Sequence, residues 1–134
     1  MTTAGFAAAF GDAVAQRRGR GPYTPTGIIG AWEQLVEMVE AGYDDNVYEY
    51  DNDLAIRDLL EELLQLPALA EFPELGWFRE SVAALDDRMR SGLSAEPVRL
   101  PGRRWWRSHL PVKAGAELAD DLKRTYGYQV PEVI

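Results

Sequence analysis

The sequence predicts an all-α fold, a compact bundle of four to five helices, and three observations carry that expectation. Apolar residues recur at i, i+3 and i+4 through most of the chain. Glycine or proline follows the end of nearly every such stretch. No repeat, low-complexity tract or sustained heptad pattern competes with this reading. At 134 residues, 46% of them hydrophobic, the chain suits one domain with one core.

The first helical stretch runs from Thr3 to Gln16, where Phe6, Phe10 and Val14 share one face. Gly5 and Gly11 weaken it, and Arg18 to Pro25 reads as a loop, so residues 1–25 are expected to form an arm. A second helix starts near Thr26, with Thr26 as its cap. Ile28, Trp32, Leu35, Val36 and Val39 face inward, and Gly42 closes it. A third spans about Asn52 to Gln65, capped by Asn52 or Asp53 and followed by Pro67; its leucines exceed what one core-facing stripe needs. A fourth runs from Pro73 or Glu74 to Arg90, with Trp77, Phe78, Val82, Leu85 and Met89 as its stripe and Gly92 as its stop. Residues 93–112 are an irregular segment rich in Pro, Gly, Arg and Trp, in which Pro97-Val98-Arg99-Leu100 alternates like a short extended piece. The last helix, Ala114 to Tyr126, turns Leu118 and Leu122 inward and stops at Gly127; residues 128–134 form an extended tail.

Composition narrows the function. The chain has no cysteine, which excludes disulfides, a thiolate nucleophile and cysteine-based metal sites. No positively charged signal-type leader precedes an apolar stretch, and no run approaches the roughly 18 apolar residues of a membrane span, so a cytoplasmic location is expected. A net charge of −8 argues against nucleic acid and against an anionic membrane as partner.

The charge is unevenly spread. Residues 1–32 carry a net +2, residues 33–96 a net −13 and residues 97–134 a net +3. The excess is steepest over 33–62, with 11 acids against Arg57 alone.

Within that stretch Tyr43, Asp44, Asp45, Tyr48, Glu49, Tyr50, Asp51 and Asp53 form the densest polar feature. Tyrosine supplies rigid amphipathic contact area, and carboxylates attract and orient a basic partner. These eight residues are the candidate protein-binding site. The competing reading is a solvated loop whose Asp and Asn cap helices and whose tyrosines cover the core. The calcium-loop pattern fails: counted from Asp51, position six is Ile56 rather than glycine, and counted from Asp44, position twelve is Ala55.

His109 is the only histidine, and no nucleophile, phosphate-binding or zinc motif accompanies it. An enzyme reading would need His109 in a cleft beside carboxylates such as Glu80 or Asp86. In Arg103-Arg104-Trp105-Trp106-Arg107, basic and aromatic side chains are interleaved and could stack on bases and neutralise phosphates. Against a net charge of −8 the better expectation is structural: one Trp in the core, the other under an arginine, and the arginines facing the acidic middle.

The leading functional expectation is a non-enzymatic module, with no cofactor or metal, that binds a basic protein through the acidic tyrosine-bearing surface. Immunity or antitoxin inhibitors illustrate that physics by analogy of size and charge. A homodimer joined through the leucine-rich helix comes second, and a small enzyme third.

Overall fold

The computed structural model describes residues 4–17 and 23–134. The stretch Arg18 to Pro22 of the predicted loop lies outside them. The fold is mostly helical, as the periodicity predicts, with one small parallel sheet.

Helix α1 (Ala4–Ala15) turns Phe6, Phe10 and Val14 inward, and all three are buried. Tilted rings run in series from Phe72 to Phe6, Phe10 and Phe78, with centroids 5.6, 5.9 and 5.2 Å apart. Burying each phenylalanine stabilises by about 1.5–3 kcal/mol. That outweighs the roughly 1 kcal/mol that a glycine costs a helix interior. The described part of the N-terminal segment is therefore a wall of the core and not an arm.

Helix α2 (Pro25–Ala41) is capped by Thr24 rather than Thr26: the Thr24 hydroxyl accepts from Gly27 N at 3.0 Å. Pro25 occupies the first turn, where a missing N–H costs nothing. Ile28, Trp32, Leu35, Val36 and Val39 are all buried.

The helix expected over Asn52 to Gln65 begins earlier and comes in two parts. Helix α3 (Val47–Asp53) meets helix α4 (Ala55–Leu64) at Leu54, whose backbone is itself helical at φ −64°, ψ −16°. The cap is Asn46, accepting from Glu49 N at 2.9 Å, and not Asn52 or Asp53. Tyrosine, aspartate and asparagine are weak helix formers, so α3 depends on tertiary support. Its Tyr50 is buried, and the Asp121 carboxylate accepts the Val47 N–H at 3.0 Å.

Leu54, Leu59, Leu60, Leu63 and Leu64 are buried inside the protein's own core, where α4 lies against α1 and α2. The leucine excess proposed as a dimer face is thus consumed within one chain. Pro67 does not merely end a helix; it opens the one-turn helix α5 (Pro67–Ala70).

Helix α6 (Glu74–Ser91) buries Leu75, Phe78, Val82, Leu85 and Met89. It also buries Asp86, the centre of a polar network. Arg57 donates to both Asp86 oxygens, at 2.9 and 2.8 Å, and Trp32 Nε1 donates to Oδ1 at 3.1 Å. The remaining Arg57 amino group reaches Glu61 at 3.1 Å. Trp106 lies beneath the guanidinium, 4.2 Å from its ring centroid. A buried ion pair is tolerated when its remaining polar atoms are satisfied in this way.

Residues 97–100 form no strand. The segment holds a single helical turn, α7 (Trp105–Ser108), and Leu100 turns the backbone with a left-handed φ of +49°. Strand β1 (Lys113–Ala114) leads into helix α8 (Ala116–Tyr126), which ends at Gly127. The tail returns as strand β2 (Glu132–Val133), parallel to β1, with Lys113 opposite Glu132 and Ala114 opposite Val133. Tyr43 bridges Ala114 as well. Among the described residues no helix is long and apolar enough to cross a membrane.

Candidate protein-binding surface

The acidic stretch starts where α2 must stop. Gly42 has φ +101°, a conformation that L side chains rarely adopt, and it turns Tyr43 into the interior. The Tyr43 hydroxyl donates to Asp53 Oδ2 at 2.6 Å. Burial, then the Asp53 hydrogen bond and the charges of Asp53, Asp45 and Glu49, push its pKa well above that of ordinary tyrosine. The group therefore remains a donor at any physiological pH. Tyr50 meets Tyr43 edge-on at 5.1 Å and is fully buried, and burial raises its pKa too. These two tyrosines are core residues, unlike their expected place on a binding face.

Two of the predicted carboxylates are engaged from within. Asp51 receives Arg99, with Nη2 to Oδ1 at 2.6 Å and Nη1 to Oδ2 at 3.2 Å. The Arg99 side chain is only 1% exposed, and its Nε donates to Arg107 O at 2.7 Å. Burial opposes its charge, but the bonds to Asp51 and Tyr126 prevail and raise its pKa. Sequence reasoning assigned Arg99 no role beyond a short extended piece. A buried arginine in an irregular segment has no periodicity to reveal it. Asp53 is held by Tyr43 and is half-buried.

Farther along, Asp58 collects Arg107 Nη2 at 2.6 Å, Trp106 Nε1 at 2.9 Å and Arg104 Nη1 at 3.4 Å. Burial pushes the Asp58 pKa up, yet these hydrogen bonds and the two guanidinium charges hold it below the usual value. So Arg104 and Arg107 do face the acidic middle. Arg103 is exposed and forms no ion pair among the described residues. Trp106 is buried, and Trp105, partly buried, carries Arg90 over its ring at 4.1 Å.

What stays uncovered is smaller and sharper than the predicted site. Asp44, Asp45, Tyr48 and Glu49 are exposed, Tyr48 at 81%. No ion pair among the described residues engages the three carboxylates. The backbone that carries them is nonetheless hydrogen-bonded at several points. Asn46 caps α3, Asp121 anchors Val47, and Gly115 N donates to Tyr43 O at 2.8 Å. Close approach at Gly115 leaves no room for a Cβ, which would meet Asp44 Oδ1 at 2.7 Å. Helix α8 begins at this point and adds exposed Glu117 and Asp120. No three metal-ligating side chains converge among the described residues.

His109 does lie in a cleft, but neither Glu80 nor Asp86 lines it; Asp86 is locked in the core. No protein-family model matches the chain, and no curated protein or solved structure matches it.

Proposed function

We propose that this protein is a non-enzymatic binding protein that captures a basic protein partner on the lip formed by Asp44, Asp45, Tyr48 and Glu49. One observation carries the reading: a tyrosine 81% exposed to solvent, among carboxylates without an internal counter-charge, on a helix end held by three separate hydrogen bonds. An exposed aromatic on a rigid base loses little entropy on binding, and uncompensated like charges accelerate capture of an oppositely charged surface. Elsewhere the same chain answers its acids with arginine, at Asp51, Asp58 and Asp86. Small acidic inhibitors of basic enzymes, of the immunity and antitoxin kind, work by this chemistry. The lack of cysteine suits a reducing, cytoplasmic setting.

Affinity capture from the native lysate tests it. The variant Asp44→Asn, Tyr48→Ala, Glu49→Gln removes the lip without touching Asp51, whose loss would release Arg99. A basic protein retained by the native chain, released by moderate salt and lost from the variant supports the reading. Equal retention by the variant, or an acidic partner, refutes it.

A further inference from the structure

We propose that the cleft between α6 and α7 binds a small planar organic anion, an aromatic carboxylate, at Arg90 and Trp105. The cleft holds about 320 Å³, the lower end of ligand-site sizes, and is lined by Arg90, Leu93, Ser94, Ala95, Trp105 and His109. In a chain of net charge −8, no carboxylate lines it and Arg90 is its one permanently ionised group.

The walls are built to recognise a plane with a negative edge. The Arg90 guanidinium lies 4.1 Å over the Trp105 ring, which meets Trp106 edge-on with centroids 5.4 Å apart. A guanidinium held over an indole keeps its N–H donors for a partner other than the ring, and a planar fork of donors can grip a carboxylate bidentately. Its present partner is weak: Asp87 stands 3.5 Å away, and the two side chains are 53% and 81% exposed. A pair so exposed yields readily to a better-placed carboxylate.

His109 gives the opposite wall a defined polarity. Its Nδ1 lies 2.7 Å from the Ser94 carbonyl oxygen, which only accepts, so Nδ1 carries the proton. Nε2, which no hydrogen bond among the described residues engages, is then an acceptor and takes no part in holding a carboxylate, so the anion is gripped at Arg90 and His109 only bounds the slot. The Ser94 hydroxyl is committed twice, donating to Glu96 O at 2.7 Å and accepting from Leu110 N at 3.1 Å. It braces the wall and is not available as a nucleophile. Leu93 and Ala95 complete an apolar slot for the ligand's ring.

The test is a titration of the full chain followed by NMR at the Trp105 indole N–H, assigned with Trp105→Phe. The probes are 2-naphthoate, its neutral isostere 2-naphthamide, and the cationic 2-naphthylmethylamine. Saturable shifts at Trp105 and His109 are expected with naphthoate below about 10 mM, and none with the amine. Arg90→Gln, at an exposed position, should keep the fold by circular dichroism and weaken naphthoate about tenfold or more. The amide should bind the native chain about as weakly as naphthoate binds that variant. Absence of a saturable shift, equal binding of amide and carboxylate, or unchanged affinity in a folded Arg90→Gln variant overturns the proposal. The lip variant Asp44→Asn, Tyr48→Ala, Glu49→Gln should bind naphthoate normally, which separates this site from partner capture.

Discussion

Arg99 closes on Asp51 at 2.6 Å with its own side chain 1% exposed, between the rings of Tyr50 and Tyr126 at 6.0 and 5.4 Å. One guanidinium thereby ties an irregular segment to both α3 and α8. Arg99→Ala leaves a cavity and frees a carboxylate, and should destabilise the protein by about 3 kcal/mol in urea unfolding. Arg99→Lys should recover little of this, because an ammonium cannot span both Asp51 oxygens and Arg107 O. A loss under about 1 kcal/mol for the alanine variant would contradict this role.

Asp86 answers Arg57 and Trp32 together. Asp86→Ala strands a buried guanidinium and should cost about 3–5 kcal/mol, whereas Arg57→Met with Asp86→Leu should cost much less. Thermal unfolding of the single and double variants, set as a mutant cycle, checks the coupling.

The two core tyrosines should behave oppositely when each loses its hydroxyl. Tyr43→Phe breaks a bond to a carboxylate and should cost about 1–2 kcal/mol. The Tyr50 hydroxyl is buried with no hydrogen-bond partner among the described residues, so Tyr50→Phe should be neutral or stabilising by about 1 kcal/mol. Equal losses in the two variants would show that Tyr50 is satisfied after all.

How much of this was legible beforehand follows from what periodicity reports. Phe6, Phe10, Trp32, Leu60, Phe78 and Leu118 are inside because their spacing puts them there. The α3 helix was hidden, since Tyr-Glu-Tyr-Asp-Asn-Asp forms a helix only with support from Asn46 and from Asp121, 74 residues away from Val47. Tyr43 and Tyr50 look like Tyr48 in composition, and only the turn at Gly42 and the pitch of α3 bury the first two and expose the third. Of the acidic region, charge counting located the excess but could not divide it. Which carboxylates are covered depended on Arg99, Arg104 and Arg107, all from a segment without pattern.

Asp58 makes the fold sensitive to acid in a definite direction. Its pKa is depressed in the folded state, so its contribution is complete above the ordinary aspartate value of about 4 and is lost as pH falls through the lower, folded value. Below that range Asp58 is protonated in both states and contributes nothing. Urea titrations between about pH 5 and pH 2 should therefore show a shallower acid decline for Asp58→Asn than for the native chain. Parallel declines would remove Asp58 as a source.

The ion pair at Asp86 also sets an order for synthesis. Trp32, Arg57 and Asp86 leave the ribosome before Trp106, the ring that lies under the guanidinium. A nascent chain reaching only Gly92 can pair Arg57 with Asp86 but leaves that pair open to water on its Trp106 side. Until residue 106 has emerged, the innermost ion pair of the fold lacks the ring that covers it in the finished protein.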